Sequence, residues 1–145
     1  MKKPSVRLLY IDHAGPYEKV PTALVPFIAA YRKARIPCKN MAAQYLDDPR
    51  TFMSDSLRAR IGCVLDFFPA QPPKGMKTIT IPGGTFVRIE RTGKGWPRQW
   101  RDWWLAERYA EENGWQPTAG VLENYDLSIQ RRGWVEMLMP VKRVK

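Results

Sequence analysis

The sequence predicts an α+β fold: tandem strand-helix-strand-strand repeats with pseudo-two-fold symmetry, an antiparallel sheet with two helices on one face. Three observations predict it. His13-Ala14-Gly15-Pro16-Tyr17 opens an amphipathic run that leads to Tyr45-Leu46-Asp47-Asp48-Pro49. Arg91-Thr92-Gly93-Lys94-Gly95-Trp96 opens a second run that leads to Tyr125-Asp126-Leu127-Ser128 at nearly the same spacing. Between the halves lies a segment rich in proline and glycine. At 145 residues the chain has the length of one domain. Repeat 1 is expected over about residues 5–66, a linker over about 67–75 and repeat 2 over about 76–142. Similar halves in one short domain pack together, and their seam is a natural place for a ligand.

The elements follow in order. Ser5 to Asp12 is rich in strand formers and is broken off by Gly15-Pro16. From Tyr17 to Arg35, Val20, Leu24, Ile28 and Tyr31 recur as one face of a helix requires. Pro21 fits its first turn, Pro26 predicts a kink or a late start, and Pro37 ends it. Met41 to Asp47 reads as a strand and Asp48-Pro49 as a turn. Leu57 to Leu65 alternates, with Ala59, Ile61, Cys63 and Leu65 on one face and Arg58 and Arg60 on the other. The connection holds Pro69, Pro72, Pro73 and Gly75. Met76 to Ile81 and Thr85 to Arg91 are strands around Pro82-Gly83-Gly84, and Pro97 takes a helix's favoured first position. That helix runs to about Asn113, with Trp100, Trp103, Trp104, Ala106 and Ala110 on its apolar side and Asp102 on the polar one. Gly114 stops it, and Val121 to Tyr125 and Trp134 to Val141 are the last strands.

Composition narrows the function. Cys38 and Cys63 form no CxxC and His13 is the single histidine, so no metal is expected and both thiols read as reduced packing residues. Neither GxGxxG nor GxxxxGK[ST] occurs, and no serine sits in GxSxG, so no nucleotide cofactor and no serine nucleophile are expected. Nothing reads as a signal peptide or as a membrane span, so a cytoplasmic protein is expected. Lys and Arg outnumber Asp and Glu by 24 to 14, a net charge of +10. These cations are scattered and match no helix-turn-helix or zinc-finger pattern, which favours a solvated basic surface over direct nucleic-acid binding.

Four pieces in this order, His13 to Tyr17, Tyr45 to Pro49, Glu123-Asn124-Tyr125-Asp126 and Met137 to Val141, resemble the GyrI-like small-molecule-binding domain family. The family includes drug-sensing effector domains of AraC-type and MerR-type regulators, gyrase-inhibitor-like proteins, and hydrolases of cyclopropane-bearing DNA-alkylating compounds. The resemblance implies a ligand cleft at the seam and a site glutamate two residues before the second-half tyrosine, the place of Glu123. Ala43 holds the equivalent place before Tyr45, so an asymmetric site is implied. No DNA-binding module accompanies the motif pair, which implies a stand-alone member. The segment from Arg91 to Trp96 departs from the His-x-Gly-Pro-Tyr-like opening that the family more often repeats.

Glu123 is the leading candidate for the site. By alternation it shares a strand face with Val121 and Tyr125, and a carboxylate there is costly to bury without a partner. A cationic ligand would offset it, and desolvation would suit it to act as a general base. Without the resemblance, an edge-strand glutamate paired with an arginine explains it better. Tyr10, Tyr45, Phe86, Trp100, Trp104 and Trp134 are the candidate aromatic walls, with at least one of Trp100 and Trp104 facing the cleft. Tyr125 is a candidate donor to a ligand or leaving group, and His13 and the Asp47-Asp48 pair read as turn residues.

Three functions are ranked. The first is capture of hydrophobic, cationic or electrophilic aromatic compounds between the repeats, for drug or toxin sensing or protection. The second is hydrolysis of cyclopropane-type alkylators, Glu123 directing water with Tyr125 assisting. The third is an interaction with DNA gyrase drawn by the positive charge.

Overall fold

A computed structural model of the chain describes residues 1–49, 54–91, 99–118, 120–125 and 135–144. Its elements are β1 (Lys2–Lys3), β2 (Val6–Ala14), α1 (Val20–Lys33), β3 (Asn40–Tyr45), β4 (Arg58–Leu65), β5 (Lys77–Ile81), β6 (Gly84–Arg91), α2 (Gln99–Glu112), β7 (Trp115–Pro117), β8 (Val121–Tyr125) and β9 (Val135–Arg143). Short 3-10 turns at Tyr17–Lys19 and Ser54–Ser56 precede α1 and β4. The expected order is present: β2-α1-β3-β4 is the first repeat and β6-α2-β8-β9 the second, with β5 leading in. Two short strands, β1 and β7, add to it.

The curled sheet runs β1-β6-β9-β8-β3-β4-β2-β5, all antiparallel, with β7 paired to the end of β9. This order is a palindrome of repeats about the β3/β8 pair. There Ala43 faces Glu123, and Tyr45 and Tyr125 lie two residues to either side of that pair. The pseudo-two-fold axis therefore passes through Ala43 and Glu123, the residues that the repeat spacing equates.

Both helices pack on one face. Val20, Leu24, Phe27 and Tyr31 of α1 and Trp103, Ala106 and Ala110 of α2 join one core with Leu9, Ile61, Cys63, Met41, Ala43, Tyr45, Met137 and Met139. Phe27 takes the buried place expected of Ile28, which is half-buried beside it. Pro26 stands inside α1, which begins at Val20 and continues through it to Lys33, so Pro26 does not delay the helix start. Gly114 closes α2 in the left-handed conformation, φ +77°, that favours glycine. The opposite sheet face holds a second cluster of Leu8, Tyr10, Ala42, Ile81, Phe86, Leu122 and Leu138. No described helix is long and apolar enough to cross a membrane.

One expectation for α2 is corrected. Trp104 is 49% exposed, and Asp102, expected on the polar side, is buried. Positions 103, 106 and 110 form one stripe at helical spacing, and position 104 lies about 100° further round the helix. The Arg108 guanidinium covers the Trp104 ring from outside at 5.3 Å.

Candidate functional site

Glu123 is 0% exposed in the middle of β8, a central strand rather than an edge. Strand alternation turns it to the helix face, between Val121 and Tyr125 and beside Ala43 and Met137 on the neighbouring strands. The Tyr125 hydroxyl donates to Glu123 Oε2 at 2.9 Å and lies 2.7 Å from the Tyr45 hydroxyl. A phenol carries one proton, so with Tyr125 donating to the carboxylate it is Tyr45 that donates to Tyr125. Burial and the charge of Glu123 push the Tyr125 phenol well above its usual range. It stays protonated at neutral pH and stabilises the carboxylate charge.

The two symmetry-related tyrosines thus converge on the single axial carboxylate. Ala43, at the matching place of repeat 1, removes a second charge from the seam and leaves its volume small. Tyr45 in turn packs against Tyr17 with tilted rings, centroids 4.5 Å apart. The Tyr17 hydroxyl lies 2.9 Å from the Asp47 carbonyl and 2.7 Å from the Arg58 carbonyl, and it accepts from the Asp47 N–H at 3.2 Å. Burial raises the Tyr17 phenol to about 12.

Asp47 accepts from the backbone N–H, Nε and Nη2 of Arg58 at 2.9, 3.0 and 3.0 Å, and these bonds hold its carboxyl below the usual range. Its role is to lock the strand end, as the turn reading expects. His13 Nε2 lies 3.2 Å from the Pro16 carbonyl, in the turn that feeds α1.

The other candidate walls divide. Tyr10 and Phe86 do not share the space of Glu123. Tyr10 pairs with Gly62 and Phe86 with Pro140, which puts both on the sheet face away from the helices, in the second cluster. The expectation that they line the same cleft is corrected by this register. The Arg60 guanidinium lies over the Tyr10 ring at 5.6 Å, and its Nη1 donates to Gln44 Oε1 at 2.9 Å. Trp104 faces outward. The Trp100 side chain and Trp134 lie outside the described residues, as do the second-half opening from Thr92 to Trp96 and the loop with Arg131 and Arg132.

Trp103, read with Trp104 on the apolar side of α2, is buried where Trp104 is exposed. One group escaped the sequence reading. Glu136 is a further buried carboxylate, on the face opposite Glu123, where Asn124 Nδ2 donates to it at 3.1 Å and Arg88 Nε at 2.5 Å. Burial alone would raise its carboxyl, but the bonds from Arg88 and Asn124 hold it below the usual range. Its one-residue offset from Met137 was legible; its arginine partner on β6 was not.

No family model matches the chain, and no curated protein matches its sequence. Solved structures do match. The C-terminal domain of EcmrR aligns with a TM-score of 0.74 at 17% identity, over 99% of this chain and 96% of that one. In the EcmrR–DNA complex the matched protein is longer, and the present chain spans 56% of it. SAV2435 bound to tetraphenylphosphonium aligns at 0.68 and 13% identity, over 98% and 92% of the two chains. A hydrolase from Listeria innocua aligns at 0.57 and 12% identity, over 98% and 90%. The motifs from His13 to Val141 and these likenesses over nearly the whole chain meet in one conclusion: the protein has the fold of the GyrI-like domains, the fold of the EcmrR C-terminal domain.

Proposed function

We propose that the protein binds hydrophobic, cationic aromatic molecules between its two repeats, with Glu123 as the counter-charge. The observation that carries this reading is a glutamate with 0% exposure on the apolar helix face, at the two-fold seam. A buried charge is costly, and a cation that enters the seam recovers much of that cost. Tyr45 and Tyr125 supply aromatic edges and hold the carboxylate, and Trp100 and Trp134 are the proposed further walls. The bound lipophilic cation in SAV2435, a protein of the same fold, supports this ligand class.

The test is a thermal-shift comparison of methyltriphenylphosphonium with the neutral triphenylphosphine oxide, on the parent and on Glu123→Gln. A ligand at about 100 times its Kd stabilises the native state by about 2.7 kcal/mol, a shift of a few degrees. The cation is expected to shift the parent and not the variant. Equal shifts by the two compounds would remove the counter-charge role.

One observation favours a second reading. A hydrolase shares the fold, and Glu123 with a neutral Tyr125 at 2.9 Å is a base-and-donor pair. In that reading Glu123 takes a proton from water as its oxygen bonds to a cyclopropane carbon. The ring C–C bond breaks, its electron pair takes the Tyr125 proton on the other carbon, and Tyr125 recovers a proton from Glu123. Product analysis separates the readings: a hydrolase releases ring-opened product with turnover and loses this in Glu123→Gln, whereas a binder returns the compound unchanged.

A further inference from the structure

Away from the Glu123 carboxylate, the start of β3 brings three sulfur atoms together in the core shared with α1. Met41 on β3 is the register partner of Cys63 on β4, and both side chains join the helix-face core. The Cβ atoms of such a cross-strand pair stand about 5 Å apart. Cys38, two residues before β3, folds back over them: its Sγ lies 3.9 Å from Met41 Sδ and 3.4 Å from the Asn40 carbonyl oxygen. The Cys63 thiol donates to Cys38 Sγ, and this bond holds the Cys38 thiol below its usual range. Cys63 and Met41 are 0% and 1% exposed, whereas Cys38 is half-buried and opens the group to solvent.

Two thiols bonded to each other, with a thioether at 3.9 Å, have the spacing of a metal's donor set. Metal–thiolate bonds are about 2.3 Å long, so three sulfurs around one ion stand roughly 4 Å apart. Imidazole and carboxylate donors are missing from the group: among the described residues, no three of His, Cys, Asp and Glu come together. Soft sulfur donors select Cu(I), whereas structural Zn(II) takes four ligands.

We propose that Cys38, Met41 and Cys63 form a site for one soft univalent metal ion, Cu(I), with both cysteines as thiolates and Met41 as the thioether. The ion takes the place of the proton between the two thiols, so no cavity is required, and it enters from the side of Cys38. Both thiol protons leave to solvent, which makes the affinity fall as pH falls. No metal pattern is legible in the sequence because one donor is a methionine and the two cysteines meet only through the β3/β4 register. The site is separate from Glu123 and stands if the counter-charge reading fails.

The test is an anaerobic titration of Cu(I) into the reduced protein in competition with bicinchoninate, followed by X-ray absorption at the copper edge. Expected are one ion per chain, three sulfur neighbours at about 2.3 Å, and an affinity that falls about a hundredfold or more in Cys63→Ala. Met41→Leu keeps the core volume and is expected to leave two sulfur neighbours and to lower the affinity about tenfold. Glu123→Gln is expected to bind as the parent does. Failure of the parent to compete with bicinchoninate would overturn the proposal, whether or not Cys63→Ala folds. So would an unchanged affinity in Cys63→Ala, since Cys38 alone would then hold the ion, or a third sulfur neighbour that persists in Met41→Leu.

Discussion

Asp47 and Glu123 are both buried carboxylates, and their neighbours give them different tasks. Three bonds from Arg58 saturate Asp47, so its charge serves the fold. Its pKa is lower in the folded chain than in the unfolded one. The unfolded state therefore takes up the proton first, and the stability Asp47 contributes is full above the unfolded value near 4 and is lost as pH falls through the folded value. Asp47→Asn is expected to cost about 2 kcal/mol at pH 7, with a smaller gap from the parent at pH 3, read by urea unfolding at both pH values. Glu123 is bonded instead by Tyr125, which bonds Tyr45 in turn. Its place at the seam was implied by its position two residues before Tyr125. The relay through Tyr45 was not, because it joins residues 80 positions apart that only the β3/β8 register brings into contact.

At the level of elements, α1 and β4 were legible because apolar residues recur at one period against a polar background. The face of α2 was misjudged for the opposite reason. Tryptophans at 100, 103 and 104 spread over a wide arc, and only packing against β6, β7 and β9 decides between Trp103, which is buried, and Trp104, which is exposed. Strand alternation separated the faces within each strand, but not which face of one strand meets which face of another. Tyr10 and Phe86 were assigned to the cleft on that gap. β1 and β7 escaped because two and three residues carry no period. Two predictions belong at this scale. Pro26 is exposed inside α1 and donates no N–H to the carbonyl one turn back, so Pro26→Ala is expected to stabilise the protein by about 1–3 kcal/mol in thermal or urea unfolding. A Cβ on Gly62 would stand 1.8 Å from the Leu9 carbonyl oxygen where β2 and β4 pair. Gly62→Ala is therefore expected to destabilise by about 3 kcal/mol or more, since the obstacle is backbone and cannot turn aside.

The whole molecule joins two matched halves along β3 and β8, and its symmetry is broken at the axis by Ala43 opposite Glu123. Under the proposed function, the one carboxylate at this two-fold seam serves a single cation rather than two. The repeat spacing showed both halves, because each repeat carries its own helix period and its own tyrosine, and the resemblance to the GyrI-like family implied the unequal pair. The separation of the Glu123 face from the Tyr10 and Phe86 face is a property of the assembled sheet alone. The most direct test is a calorimetric titration of tetraphenylphosphonium into the parent protein and into Glu123→Gln. A cation held at the seam predicts one site per chain in the parent and an affinity loss of about tenfold or more in the variant, equivalent to about 1.4 kcal/mol. Equal affinities in the two proteins, or no heat of binding to the parent, would contradict a ligand site built on Glu123.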